Sequence, residues 1–256
     1  MTVWDEPVLV DETDGYAILY KPPRFHCVPL AAGGGGTLLE WYARRFPPVL
    51  DLRGKKGAGG GMVHRLDYET SGLVLAARNQ GALDFFLSLQ EEGKFVKEYG
   101  ALSRKAAGTR PGFPPPPETP LGSGSFRPFV IESFFRPYGP GRKTVRPLTE
   151  PARYGREYAS DRGGFYRTEL RGAEAREDGS LRFTLRILRG FRHQIRCHLA
   201  WTGWPVLNDP LYGPGGAADG AVSPPESFLA LRAQALYFFD PRDGRPLEFH
   251  IPPVGG

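Results

Sequence analysis

The sequence predicts a mixed α/β (α+β) fold built on a largely antiparallel sheet, with flanking helices and long loops. Three observations carry that expectation. The stretch LRFTLRIL at 181–188 alternates strictly, with Leu181, Phe183, Leu185 and Ile187 on one face and Arg182, Thr184 and Arg186 on the other. Helical spacing is confined to a few separated stretches, while apolar strand patterns recur along the whole chain. Strands and helices do not alternate in the regular order that a doubly wound parallel sheet demands.

The elements follow in order. Residues 8–20, VLVDETDGYAILY, read as two short strands around an Asp-Gly turn, ended by Pro22 and Pro23. Four glycines at 33–36 form a loop, and TLLEWYARRF comes next. There Thr37 and Glu40 have capping-box spacing, Leu38, Leu39, Trp41, Tyr42 and Phe46 supply apolar bulk, and Pro47 and Pro48 stop the helix. The basic, glycine-rich RGKKGAGGG at 53–61 lacks the Lys-Ser or Lys-Thr ending of a phosphate-binding loop. VHRLDYETSGLVLAA then runs into an apolar strand at 73–77. Residues 79–92 fit a helix capped by Asn79 and stopped at Gly93, and FVKEYGAL at 95–102 fits a strand. The Pro- and Gly-rich stretch at 105–125 reads as an excursion within one domain, because strand patterns resume beyond it. FRHQIRCHLAWTG reads as a short helix ended by Gly203, with Ile195 and Leu199 toward the core and Arg192 and Arg196 sharing another face.

Composition bounds the function. A chain of 256 residues suits one large domain or two small ones and buries enough surface to need no disulfide scaffold. The Pro- and Gly-rich stretches read as connections of one domain with its core at about 5–250. The net charge is +5, and 26 of the 33 basic residues are Arg. That balance points to a partner rich in phosphate, with codon bias as the plain alternative. No apolar run reaches the ~18–20 residues of a membrane span. The acidic start MTVWDEPVLVDETDG is not a secretory signal. Cys27 and Cys197 show no metal-ligand spacing, and His64, His193 and His198 have no HExxH-like arrangement, so no metal is expected. A reduced cytoplasmic setting is the simplest reading.

Three constellations carry candidate chemistry. The first is His64-Arg65-Leu66-Asp67-Tyr68-Glu69-Thr70-Ser71-Gly72. On an extended backbone Arg65 and Asp67 point the same way, and a neighbouring cation keeps a carboxylate ionised and usable as nucleophile or base. The string is not a kinase catalytic loop, since it carries an extra residue within His-Arg-Asp and no DFG follows. The second is Lys97-Glu98-Tyr99, where Lys97 and Tyr99 share a strand face; such a Tyr either packs across strands or stacks on a planar ligand. The third is Gly190-Phe191-Arg192-His193-Gln194-Ile195-Arg196, followed by Asn208-Asp209-Pro210-Leu211-Tyr212-Gly213. Its arginines either face solvent or grip carboxylate and phosphate.

Together these segments resemble the RluA-type pseudouridine synthases. HRLDYETSGLVLAARN is similar to the family's HRLDxxTSGL motif, VKEYGAL to its KxYxA strand, and RGFRHQIRCHLAWTGWPVLNDPLYG to its GRTHQIRxHL…GDxxYG segment. The opening strand pair leads to a Lys-Pro pair, here Lys21 and Pro22, as in that family. The resemblance implies the pseudouridine synthase fold, a single catalytic domain over 1–256 with a divergent segment at about 105–160 and no separate N-terminal RNA-binding module, and a cofactor-free isomerisation of uridine in rRNA or tRNA; we expect a cytoplasmic, monomeric enzyme. It implies that Asp67 is the catalytic Asp, acting on ribose C1′ as nucleophile or removing a ribose proton as base. Tyr99 matches the Tyr that stacks on the target base. Arg196 matches the basic residue that pairs with the catalytic Asp, and Arg65 the residue that enters the RNA stack where the uridine has flipped out. His64, Lys97, Arg192, His193 and Gln194 are implied RNA contacts. The chain departs from the pattern at Phe191 and Arg192, where the family carries Arg-Thr, and at Asn208, which replaces a Gly and still tolerates a left-handed backbone. The alternatives are a non-catalytic RNA-binding protein on the same scaffold, and a retaining glycoside hydrolase pairing Asp67 with Glu69.

Overall fold

A computed structural model describes residues 4–30, 35–54, 59–107, 110–121, 126–150, 165–214 and 227–255. Parts of the glycine loops at 33–36 and 53–61, and of the stretches at 105–125 and 105–160, lie outside those residues. The described elements are β1 (Val8–Glu12), β2 (Tyr16–Lys21), α1 (Leu38–Ala43), β3 (Ser71–Ala77), α2 (Gln80–Glu91), β4 (Val96–Ser103), β5 (Phe129–Tyr138), β6 (Thr144–Leu148), β7 (Tyr166–Ala175), β8 (Leu181–Ile187), α3 (Gln194–Trp201), β9 (Leu231–Phe239) and β10 (Pro246–His250). They fall into two compact units, one of residues 1–98 and 232–254, the other essentially residues 99–231.

In the first unit the strand order is β1-β2-β3-β9, with β10 added against β9. β1–β2, β2–β3 and β9–β10 are antiparallel, whereas β3–β9 is parallel through Ser71↔Arg232 and Gly72↔Ala233. Every residue of β2 and β3 is buried, so these strands read as apolar runs and not as alternation. Ile18, Leu73 and Leu75 pack with Leu83 and Phe86 of α2 and with Phe238 of β9. The Tyr16 ring meets Phe238 edge-on at 5.5 Å between centroids. Both expected helix starts are present. The Thr37 hydroxyl accepts from the Glu40 N–H while the Glu40 carboxylate accepts from the Thr37 N–H, and the Asn79 side chain accepts from the Ala82 N–H at 2.8 Å. Gly93 ends α2 in the left-handed region at φ 71°.

In the second unit β8-β7-β5-β6 are paired antiparallel throughout. Phe183, Leu185 and Ile187 of β8 are buried on the predicted face. Phe135, Val145, Cys197, Ala200 and Tyr212 form a core cluster joined by Phe191. The architecture is therefore the mixed, mostly antiparallel α+β fold that the sequence predicts. One local expectation is corrected. Helix α3 begins at Gln194, preceded by His193 in a left-handed conformation (φ 57°), so Arg192 lies outside the helix and shares no helical face with Arg196. All eight residues of α3 are buried, which removes the polar face that the spacing suggested.

Candidate active site

The Asp67 turn belongs to the first unit. The Thr70 N–H donates to the Asp67 carbonyl at 3.1 Å, closing a tight turn just before β3. Gly72 holds φ at 127°, and a β-carbon there would collide with the Ala233 carbonyl oxygen, so only glycine lets β3 lie against β9. Asp67 is half-buried and Arg65 exposed. Among the described residues no ion pair joins Arg65 to Asp67, so the expected pairing of those two side chains is not formed. A buried cation, Lys21, also stands in the field of Asp67. Burial draws its ammonium pKa down to about 8, opposed by the charges of Cys27, Asp67 and Glu69.

Lys21 also builds the turn. Its Nζ donates to the carbonyls of Pro22 (2.8 Å), Phe25 (2.8 Å) and Tyr68 (3.1 Å), tying the end of β2 to the residue after Asp67. Phe25 N–H donates to the same Tyr68 carbonyl at 3.2 Å. The Leu66 N–H points at Cys27 Sγ (3.2 Å), and burial pushes that thiol up. His64 is buried against the Phe95 ring and its Nε2 accepts from the Leu75 N–H at 3.2 Å. Burial and the Lys97 charge hold it well below the usual imidazole range, so it is a neutral anchor of the turn with its proton on Nδ1. Lys97 is buried as well, with its pKa drawn to about 8 by burial. His64 and Lys97 thus have the burial of framework side chains, whereas the resemblance implies that they contact RNA.

The third constellation lies in the second unit. Arg196, 1% exposed, donates from Nε and Nη2 to the two oxygens of Asp209 at 2.8 and 2.7 Å. Asp209 Oδ1 also accepts from the N–H groups of Leu211 (2.9 Å) and Tyr212 (3.0 Å). Burial alone would raise the Asp209 pKa, but the Arg196 charge and these four hydrogen bonds bring it below its ordinary value. The pair is a planar, bidentate fork that fixes the guanidinium in orientation. Asn208 takes the left-handed conformation expected of it, at φ 60°.

Around Arg196 the helix is held by buried polar bonds. Gln194 donates to the Arg167 carbonyl (2.8 Å) and the Thr168 hydroxyl (3.1 Å) and accepts from the Phe191 N–H (3.0 Å). His198 sits between the hydroxyls of Ser133 (2.9 Å) and Thr168 (2.8 Å), and burial pushes its pKa down to about 3, so the ring is neutral. His193 Nδ1 lies 3.2 Å from the Tyr212 hydroxyl. Gln194, like His64, is an interior anchor with protein partners. The departure at Phe191 has a packing reason: its ring stacks on Phe135 (5.1 Å, 11°) and meets Tyr166 (5.0 Å). Arg192 is exposed and donates to the Arg142 and Thr144 carbonyls. Tyr99 is buried at 5% exposure. Sequence reasoning gave no role to Lys21 or Asp209, although both stood within quoted motifs; a Lys at a strand end and an Asp thirteen residues from an Arg carry no local sign of their partners.

The model of the RNA pseudouridylate synthase family matches residues 15–201. The chain belongs to that family. The membership bears out the RluA-type resemblance. Synthases of the family include the ribosomal large subunit pseudouridine synthase D of Vibrio parahaemolyticus, 28% identical over 253 residues, and that of Escherichia coli K12, 28% identical over 257 residues. Each alignment covers 95% of this chain and 66% of the relative, so the chain spans about two thirds of the length of these proteins. Among solved structures, human RNA pseudouridylate synthase domain containing 1 superposes with a TM-score of 0.60 at 22% identity, covering 97% of this chain and 84% of that one. Human RNA pseudouridylate synthase domain containing 4 also reaches 0.60, at 16% identity, covering 95% and 87%. These synthase structures establish the fold. Among the described residues no helix is long and apolar enough to cross a membrane.

Proposed function

We propose that this chain isomerises uridine to pseudouridine in a structured ribosomal or transfer RNA, with Asp67 as the catalytic carboxylate. The observation that supports it best is the HRLDYETSGL segment itself. It presents a half-buried Asp67 on a turn held by the buried Lys21 and pinned by Gly72, in a chain of the pseudouridylate synthase family.

The reaction conserves atoms. The N1–C1′ bond of uridine breaks, the freed uracil turns, a C5–C1′ bond forms, and the C5 proton is released as N1 regains one. Asp67 acts either by bonding to C1′ or by taking a ribose proton. Tyr99 stacks on the uracil ring, and Arg196, oriented by Asp209, serves as the basic partner of the catalytic carboxylate. Reaching C1′ requires the uridine to leave its stack, at a cost of a few kcal/mol, and Arg65 fills the vacated place. Arg192 and His193 contribute RNA contacts, and the surplus of Arg supplies phosphate attraction that weakens with salt. Bond-breaking and bond-making balance with no net redox change or hydrolysis, so the chain needs no cofactor. It works in the cytoplasm, as a monomer and a single catalytic domain.

The test is tritium release from C5-labelled uridine in rRNA and tRNA transcripts. Wild type should release tritium, and Asp67→Asn should release none while unfolding at the same urea concentration. Release by Asp67→Asn would sink the assignment. RNA binding without pseudouridine would mark a non-catalytic scaffold, and free uracil would mark a hydrolase.

A further inference from the structure

We propose that the exposed ring of Tyr68, seated on His26, is a stacking platform for a nucleobase beside the reacting uridine. The proposal rests on the pseudouridine synthase reading and adds a recognition residue that the isomerisation itself does not require.

Tyr68 follows Asp67 in the same turn, so an RNA that brings a ribose to Asp67 carries the neighbouring nucleotides past this ring. The ring is 44% exposed, a large aromatic surface left to water. One side of it is backed by His26, with centroids 4.6 Å apart and planes 35° from parallel. His26 is itself held by main-chain bonds: it bridges to Thr37, and its carbonyl accepts from the Leu38 N–H at 2.9 Å. The loop before it is fixed by Arg24, which adopts φ 54° and pairs with Glu69 at 3.5 Å. The platform therefore stands ordered before RNA arrives, which lowers the entropy lost on binding.

The backbone and the ring of Tyr68 have separate duties. Its carbonyl accepts from Lys21 Nζ and from the Phe25 N–H, so the turn is built through the main chain. The ring is left to solvent, and Arg65 in the same turn is an exposed cation. An exposed aromatic face suits a nucleobase, because every base offers a π-face to it, and a nearby exposed cation suits the phosphate that the base carries.

The experiment measures kcat and KM for tritium release on rRNA and tRNA transcripts with wild type, Tyr68→Ala, Tyr68→Phe and Tyr68→Trp. Tyr68→Ala should raise KM about ten-fold with kcat within about two-fold, as expected for loss of one base–aromatic stack. Tyr68→Phe and Tyr68→Trp should restore KM to within about two-fold of wild type, and all four proteins should share one urea midpoint. An unchanged KM in Tyr68→Ala, or failure of Phe to rescue it, overturns the platform. If wild type releases no tritium, the underlying reading falls instead. The platform is then judged by filter binding of the same transcripts, where about ten-fold weaker binding by Tyr68→Ala supports it and equal affinity overturns it.

Discussion

Replacing Asp209 by Ala strands the Arg196 guanidinium in the interior of the second unit. The side chains of the pair are 2% and 0% exposed, so solvent cannot take the place of the lost carboxylate. Breaking one partner of a buried ion pair costs about 3–5 kcal/mol, because a charge remains without compensation. The N–H groups of Leu211 and Tyr212 lose their acceptor as well, which adds about 1 kcal/mol or more each and brings the total to about 5–7 kcal/mol. Against a net stability of about 5–15 kcal/mol this is a large fraction. Urea unfolding followed by circular dichroism measures it. Asp209→Asn, which keeps an oxygen acceptor but no charge, should cost less than Asp209→Ala. The double variant Arg196→Met/Asp209→Leu should cost much less than the sum of its singles, since nothing charged is then left buried. The pH dependence has a defined sign. The folded pKa of Asp209 lies below its unfolded value, so its contribution is complete above about pH 4 and is lost as pH falls through the folded value. Asp209→Asn should flatten that acid limb. A cost below about 1 kcal/mol for Asp209→Ala, or strict additivity in the double variant, would refute the reasoning.

Two further predictions concern the first unit. Lys97 has its pKa drawn from 10.5 to about 8 by burial, so between those values the unfolded chain holds a proton that the folded chain does not, and stability rises with pH. The stability of wild type relative to Lys97→Met should therefore climb by up to about 3 kcal/mol from pH 8 to 10.5 in urea titrations; a flat difference would refute it. Gly72→Ala combines a disfavoured φ with a collision against the Ala233 carbonyl, so it should lose about 2–5 kcal/mol and the hydrogen-exchange protection of the β3–β9 ladder; retention of both would show that the backbone can yield there.

What the sequence makes legible is what acts over a few residues. The caps at Thr37 and Asn79, the stops at Gly93 and Gly203 and the alternation of β8 each depend on groups within one or two turns of chain. What escapes it acts over long separations. Lys21 reaches the Tyr68 carbonyl across 47 residues and Arg196 reaches Asp209 across 13, and neither partner is distinguished by its neighbours. The start of α3 is a case of local spacing misleading. Arg192 and Arg196 are four apart, yet the left-handed His193 breaks the helix between them, and Gln194 and His198 turn inward to buried hydroxyls. A polar helix surface is thus replaced by a polar interior, which periodicity cannot distinguish from a solvated face. Strands β5, β6 and β7 are not legible element by element, because their patterns mix Arg, Pro and Glu with apolar residues and their pairing partners decide which face is buried.

The division between buried backbone anchors and outward side chains has a consequence for how such a turn can diversify. Asp67 is placed by groups that never leave the interior: three carbonyls on Lys21, the neutral His64 on the Leu75 N–H, and Gly72 against Ala233. Changing any of these moves the carboxylate and so, on the proposed role of Asp67, alters the chemistry. Arg65 and Tyr68 stand in the same turn but contribute their side chains to the surface, while residue 68 secures the turn through its carbonyl alone. Any residue at 68 preserves that carbonyl, so the exposed ring can be exchanged without disturbing the turn. On the proposed roles of Asp67 and Tyr68, recognition of different RNA neighbourhoods can therefore change beside a fixed carboxylate, and a KM effect separated from kcat at Tyr68 is the kinetic form this separation would take.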